Sequence, residues 1–409
     1  MNILFINAYF LPETIAFTHL EQDIIEALLK AGHKVEVICP TPSRGMTDGE
    51  IAKYKKIKTE NLRGVSVRRF SAPRERSSAV FRALRYFWCN FREYRIAKTC
   101  READAVFAVS TPPTQGLTAG KAAKKLGVPF VYSVQDLFPD SLVSSGLAQK
   151  DSFLYKRGEK TARKTYALCD KIIVISNSFK RGVLAAGADE SKIITVGNWI
   201  DSDKVKPVPK ENNRLFGELG IDKSKFTVVY AGNLGASQGA DVIFKAARLL
   251  KDREDIRFAV FGAGSEYAAA CEFVRQNDLG NITLNPLQPE DRISEVYSLG
   301  DVALITGKKG VGATAVPSKT WSIMACNTPI IASFDKFSEL ADILESAGGG
   351  KCVEPEDPQA LADAIEEAFI ERPQSSGRYY VQQHADKTLC VGMYVAALEE
   401  AFNQNDREN

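Results

Sequence analysis

Histidine is almost missing from this chain, with three in 409 residues, and its eight cysteines contain no CxxC pair. No histidine stands near a cysteine at metal-ligand spacing, which argues against a structural zinc. Cys39, Cys89, Cys100, Cys169, Cys271, Cys326, Cys352 and Cys390 are scattered and read as reduced core residues. No run approaches eighteen consecutive apolar residues, so no segment reads as a membrane-spanning helix. The start, Met1 to Asn7, lacks the charged leader and apolar stretch of a signal peptide, and Pro12 and Glu13 follow too soon for one. A cytoplasmic protein is expected, with the inner face of the cell membrane as its peripheral station.

An excess of charge of one sign is absent overall, 53 Lys+Arg standing against 51 Asp+Glu. The charge is nonetheless uneven. Between Arg63 and Arg101 lie eleven basic residues and two acids, Glu75 and Glu93. Hydrophobic residues make up 44% and charged residues 25%, the proportions of a soluble globular chain. At about 150 residues per domain the length suits two or three domains.

Short apolar runs alternate with longer helical patterns throughout, the signature of βαβ units and a mostly parallel sheet. Strands are expected near Ile3–Asn7, Lys34–Ile38, Val65–Arg69, Ala105–Val109, Phe130–Ser133 and Lys171–Ile175. The pattern restarts at Lys225–Tyr230 after a polar stretch with Pro207 and Pro209, and continues near Arg257–Phe261, Asn281–Leu284, Val302–Thr306 and Pro329–Ala332. The expected architecture is α/β: two doubly wound, Rossmann-like domains facing a central cleft. The first spans 1–203 and is joined by a terminal helix, 387–409, packing back on it; the second spans 204–386. Ligands of such sheets sit beyond the carboxyl ends of the strands.

Strand Val228–Tyr230 runs into Ala231-Gly232-Asn233-Leu234-Gly235-Ala236-Ser237-Gln238-Gly239, and Phe258–Phe261 into Gly262-Ala263-Gly264. Such turns let a backbone approach a ligand closely and open a helix whose unpaired N–H groups suit an anion. A sharper feature is Gly307-Lys308-Lys309-Gly310, followed by Val316-Pro317-Ser318-Lys319 at a helix start. Glycines and lysines there suit a diphosphate, the alternative being a solvated loop capped by Ser318. A lysine in a first helical turn is unfavourable unless an anion is near.

The order Ala231-Gly232-Asn233…Gln238-Gly239, Phe261-Gly262-Ala263-Gly264, Ser298-Leu299-Gly300-Asp301, Pro317-Ser318-Lys319 and Met324-Ala325-Cys326-Asn327-Thr328-Pro329 resembles glycosyltransferase family 4. It most resembles the bacterial L-fucosamine-type transferases of O-antigen, capsule and exopolysaccharide assembly. The resemblance implies the GT-B fold and retaining, metal-independent transfer from a UDP-sugar, without a cofactor. It puts the donor on the second domain, near Gly232, Asn233, Gln238, Gly262, Gly264, Lys308, Lys309, Val316, Pro317, Ser318, Lys319 and Ser322, with Leu287 and Gln288 bordering the base. The family's diphosphate-flanking Arg and Lys fall on Asn233 and Gln238, and its two glutamates on Thr314 and Ser322, so Lys319 with Lys308 or Lys309 is left to supply the positive charge.

On the first domain the resemblance marks Glu13 and Ala16 on the sugar side, where the family carries glycines at the positions of Ile15 and Ala16. Asp136 follows strand Phe130–Ser133 and either faces the cleft or caps the next turn. Ser110 and Thr111 occupy another strand end and could touch the donor sugar or the acceptor. Asp136 and Lys319 are the residues assigned to catalysis. The acceptor hydroxyl would attack on the leaving-group face, with the departing phosphate taking its proton.

From Ser78 to Cys100 the residues Val80, Leu84, Phe87, Phe91 and Tyr94 recur at helical spacing, a face expected to pack on the sheet. Arg82, Arg85, Trp88, Arg92 and Arg95 are then expected to form a patch for anionic lipid and a lipid-linked saccharide acceptor. A core helix with a solvated basic side is the plainer alternative. Nucleic acid is disfavoured, since no binding motif accompanies the patch. The expected activity is transfer of a sugar, N-acetylated, to a polyprenyl diphosphate-linked saccharide. The rivals are a transferase with a soluble acceptor and a degenerate nucleotide-sugar-binding subunit of a transferase complex.

Overall fold

The structure, a computed structural model, describes every residue except 14–16, 76–77, 145, 236–237, 314–315 and 409. The chain divides into two units, Met1–Gly197 with the segment from Cys390 onward, and Asn198–Leu389.

Eight strands among the described residues form the first unit's sheet: β1 (Asn2–Ile6), β2 (Lys34–Pro40), β3 (Thr59–Leu62), β4 (Val65–Phe70), β5 (Ala105–Val109), β6 (Phe130–Val134), β7 (Lys171–Val174) and β8 (Ile193–Thr195). Their order is β3-β4-β2-β1-β5-β6-β7-β8. All neighbours are parallel except β3 and β4. The central strands are apolar in unbroken runs because helices cover both faces, as in β5, Ala-Val-Phe-Ala-Val, buried along its whole length. β3 was not foreseen: Thr-Glu-Asn-Leu is a polar edge strand with no apolar signature.

The second unit's described strands are β9 (Phe226–Asn233), β10 (Ile256–Ala263), β11 (Ile282–Asn285), β12 (Val302–Thr306), β13 (Ile330–Ser333) and β14 (Gly350–Val353), ordered β11-β10-β9-β12-β13-β14 and all parallel. Two apolar layers flank this sheet, one around Phe261, Leu299, Ile323 and Phe334, the other around Phe226, Ile243, Phe258 and Ile365. In each unit the strand order reverses beside the first strand, between β1 and β5 and between β9 and β12. Those two strand ends are the switch points where such sheets bind ligands.

The terminal helix Lys387–Glu408 reaches the first unit, where the hydroxyls of Tyr394 and Ser133 stand 3.0 Å apart and Lys171 Nζ meets Glu400 at 3.0 Å. Among the described residues no helix is long and apolar enough to cross a membrane.

The helix Ala79–Ala97 overturns an expectation. Its inward face is Arg85, Cys89, Glu93 and Ala97, all buried. Val80, Leu84, Phe87 and Phe91, expected on the sheet, are exposed, Phe87 by 76%. Arg85 therefore leaves the expected surface patch altogether. Small residues at positions 89 and 97 let the helix lie close to the sheet, and the two long polar side chains on that side, Arg85 and Glu93, find polar neighbours there, so the apolar stripe is turned outward.

Candidate functional site

At the second switch point β9 and β10 pair in register to Gly232↔Gly262 and Asn233↔Ala263, beyond the body of the sheet. The chain then turns: Leu234 N–H donates to Ala263 O at 2.8 Å, and Glu266 N–H to Leu234 O at 2.9 Å. Gly264 has a φ of 142°, and a Cβ there would stand 2.6 Å from Leu234 O, so glycine is required where the two strand ends close on each other.

Lys319, the first residue of the helix Lys319–Ala325, lays its side chain across this turn. A Cβ on Gly232 would stand 2.5 Å from its Nζ. The ammonium sits 4.1 Å from the centroid of the Tyr230 ring, and Tyr230 Oη donates to Asn233 O at 3.0 Å, which fixes the ring. The Nζ is buried and has no hydrogen-bond partner among the described residues, and burial pulls its pKa down to about 8. A buried cation normally has an anionic or hydrogen-bonding partner. Among the described residues an aromatic face meets it in place of an anion, at the strand end where a ligand is expected.

The loop after β12 is organised differently from expectation. Asp335 accepts from Gly310 N–H at 2.9 Å and from Gly312 N–H at 2.7 Å, and Glu356 from Lys309 N–H at 3.2 Å. The Lys309 ammonium turns to Glu354 at 3.8 Å. These amides and Lys309 are thus engaged by the chain's own carboxylates, and the loop's anion-holding capacity contracts to Lys308, exposed beside Gly239, and Lys319. Ser318 makes no side-chain cap, and Val316 and Pro317 are part-exposed before it. Ser322 is buried one turn into the helix, while Thr314 lies outside the described residues. Asn233 is exposed and Gln238 part-buried. Leu287 is exposed after β11, and Gln288 bonds its own loop at Pro286 O.

At the first switch point β5 and β6 bring three of the expected residues together. Ser110 Oγ accepts from the N–H groups of Gln135 and Asp136, both at 2.9 Å, and Thr111 Oγ1 donates to Asp136 Oδ2 at 3.1 Å. The Asp136 residue is exposed, yet the packed strand ends behind its carboxyl raise its pKa. After β1, Asn7 Nδ2 donates to Glu21 at 2.7 Å, a carboxyl that burial pushes up to about 8.

Glu13 is buried, with Oε1 accepting from Ser43 and Arg44 N–H at 2.7 Å each, and desolvation raises its pKa. Its other oxygen has no partner among the described residues. Ala16 and Ile15 lie outside the described residues. Arg85 donates from Nε to Pro73 O at 3.1 Å, and its guanidinium stands 5.5 Å from the Tyr9 ring centroid. Tyr9, Tyr230, Asp335 and the inward role of Arg85 escaped sequence reasoning. Only the Arg85–Cys89–Glu93–Ala97 spacing of four offered a signal. Among the described residues no group of three or more His, Cys, Asp or Glu converges in a metal-holding arrangement.

Two parallel-sheet units, one presenting a buried, unpartnered cation beside a glycine turn, have the architecture of a GT-B glycosyltransferase. Residues 22–204 match the profile of Glycosyltransferase Family 4, and residues 211–382 that of Glycosyl transferases group 1, so the chain carries a glycosyltransferase family 4 domain followed by a group 1 domain. It is 28% identical over 314 residues to "Probable glycosyltransferase WbjE" of Pseudomonas aeruginosa, covering 76% of this chain and 78% of the relative. It is 27% identical over 283 residues to "Putative colanic acid biosynthesis glycosyl transferase WcaI" of Escherichia coli K12, covering 67% and 68%. Among solved structures, Anabaena HepE in complex with UDP superposes with a TM-score of 0.72 at 15% identity, over 98% of this chain and 100% of that one. Sucrose-phosphate synthase from Thermosynechococcus elongatus gives 0.71 at 14%, over 98% and 99%.

Proposed function

We propose that the protein transfers an N-acetylated sugar from a UDP donor, with retention and without a metal, to a polyprenyl diphosphate-linked saccharide at the cytoplasmic membrane face, a reading that rests on its resemblance to the L-fucosamine-type transferases. The observation that carries the donor half is the Lys319 ammonium, buried at the end of β9 with no hydrogen-bond partner among the described residues. A nucleoside diphosphate gives it the anion it lacks, and loss of UDP needs that charge as negative charge accumulates on the leaving phosphate. The structures similar in fold include one solved with UDP and one with UDP-glucose. Asp136, raised in pKa and held by Thr111, orients the acceptor hydroxyl, which attacks on the face the phosphate leaves and passes its proton to that phosphate.

The membrane half draws on the outward stripe Val80, Leu84, Phe87 and Phe91 with Trp88, flanked by Arg82, Arg92 and Arg95. Arg92 lies 6.0 Å from the Trp88 ring and Arg95 5.7 Å from the Phe91 ring, so apolar and cationic groups share one surface. That pairing matches the boundary between acyl chains and anionic headgroups.

Thermal stabilisation by a panel of nucleotides and nucleotide sugars, followed by UDP release with lipid-linked and soluble acceptors, tests the reading. A shift selective for UDP and its N-acetyl sugars is expected, with turnover on the lipid-linked acceptor that EDTA leaves unchanged. Binding without turnover on any acceptor favours a subunit needing a partner.

A further inference from the structure

We propose that the second unit carries a further binding site, at the edge of its sheet opposite the donor turn, for a small molecule bearing a phosphate or carboxylate group.

A cavity of about 460 Å³ opens at the amino ends of β9, β12 and β13, where Phe226, Asp301 and Pro329 line it, between the loops 207–210 and 372–375. All of its lining residues belong to the second unit. Its size falls in the range of small-molecule sites, about 300–1,000 Å³. Gly232 and the Lys319 ammonium stand at the other end of β9, six residues from Phe226 and so about 20 Å away at about 3.3 Å per residue. The donor therefore cannot be what fills this cavity.

The acceptors on its wall are taken up by the chain itself. Asp301 accepts from Lys210 Nζ at 2.7 Å and from Thr227 N–H at 2.8 Å. Ser298 Oγ accepts from Val208 N–H at 2.9 Å, Ser375 Oγ from Gly377 N–H at 3.0 Å, and Asn327 Oδ1 from Arg378 N–H at 3.2 Å. Donors are what remain. The Asn327 amide nitrogen has no hydrogen-bond partner among the described residues, and Lys210 keeps N–H groups beyond the one Asp301 takes.

The principal donor is Arg372. Phe226 and Phe369 pack edge to face with centroids 5.7 Å apart, and the guanidinium carbon of Arg372 sits in their corner, 4.8 and 4.6 Å from the two centroids. Arg253 shares the Phe369 ring at 4.8 Å, and the contrast between the two arginines is informative. Arg253 is neutralised by Asp255 at 3.0 Å and Glu366 at 2.5 Å. Asp255 also feels Arg372, yet gives both its oxygens to Arg253. Among the described residues no carboxylate stands within 4.0 Å of Arg372. A guanidinium held flat by two rings, with its N–H fork unspent, is prepared for bidentate contact with an oxyanion. A cation at the end of the helix Pro358–Glu371 also complements the helix dipole, but any flexible lysine would serve that purpose. With two cations against one acid already paired, and with donors in excess, the cavity selects an anion over a cation or an uncharged polyol.

Isothermal titration calorimetry of the full chain with inorganic phosphate, glucose 6-phosphate and citrate tests this, using Arg372→Gly and Asn327→Gly. Both residues sit at positive φ, 51° and 57°, which glycine adopts without strain, so both turns should persist. If one variant does not fold, the other carries the test. Glucose 6-phosphate or citrate is expected to bind the wild type more tightly than inorganic phosphate does, since the cavity has room for the rest of the molecule; which of the two binds tells a phosphate ligand from a carboxylate one. That binding should weaken at least about ten-fold in Arg372→Gly and about five-fold in Asn327→Gly. Equal affinity in the wild type and the folded variants overturns the proposal, and is also the result if these anions reach the donor turn instead. Absence of binding by both organic anions overturns it too. Equal affinity for inorganic phosphate and the organic anions overturns the small-molecule assignment, leaving an ion contact alone.

Discussion

Replacing Lys319 by Met separates stability from binding in a way few substitutions do. The methionine keeps most of the side-chain volume against Tyr230 and removes the charge. Burial lowers the lysine pKa from 10.5 to about 8, which corresponds to roughly 3 kcal/mol of penalty for the charged form. The aromatic face offsets up to about 2 kcal/mol of this. The empty protein should therefore gain about 1–2 kcal/mol on losing the charge, a rise in Tm of a few degrees at about 2–4 °C per kcal/mol. The same change removes a charge-assisted contact to the donor diphosphate of about 1.5–3 kcal/mol, so UDP should bind about ten- to hundred-fold more weakly. pH gives an independent check. The unfolded chain holds the lysine proton up to pH 10.5, while the folded chain releases it from about pH 8. Between those values the unfolded state binds more protons, so the wild type's stability should rise with pH across that window. The contribution is absent in the variant, and below pH 8 the penalty is constant. Differential scanning fluorimetry with and without UDP reads both effects. A Met variant that melts lower and still responds to UDP as the wild type does would refute the reasoning.

Gly232→Ala sets a methyl 2.5 Å from Lys319 Nζ and strains a φ of 151°; isothermal titration should show UDP affinity falling by about ten-fold or more as the ammonium is displaced. Asp335→Ala strips the acceptor from the Gly310 and Gly312 amides, and hydrogen exchange there should accelerate, with a stability loss of about 1–3 kcal/mol in urea titration. Phe87→Glu alters a side chain already 76% exposed, so Tm should hold while sedimentation with phosphatidylglycerol vesicles falls; unchanged sedimentation removes this helix from the membrane.

Most of the sheet was legible because strands buried on both faces spell unbroken apolar runs, as at Ala105–Val109 and Val302–Thr306, whose bounds agree with expectation to the residue. β3, β8 and β14 were not, β3 being polar, β8, Ile-Ile-Thr, only three residues long, and β14, Gly-Lys-Cys-Val, too short and mixed to stand out. Lys319 could be singled out from its place in a first helical turn, but not the Tyr230 ring beneath it, since strand periodicity does not say which ring lies under which ammonium. The helix Ala79–Ala97 shows the limit of periodicity most plainly. Apolar spacing finds two faces, and the choice of the inner one rests on an assumption that hydrophobic means inward. Arg85 and Glu93 break it because polar partners from distant segments, Pro73 O and Gln115, await them inside.

That inversion fixes more than an orientation. A surface helix with a spare apolar side can usually roll or fold over to hide it, and a protein can then trade between a form suited to water and a form suited to another phase. Here a roll would carry Arg85 and Glu93 off their anchors and bring Val80, Leu84, Phe87 and Phe91 onto a polar floor. The stripe is locked outward by the buried Arg85 charge and the Glu93 carboxyl behind it, which burial holds protonated up to about pH 8. The oily side is already turned out in the isolated chain, and an interface that accepts it finds it ready without a roll of the helix.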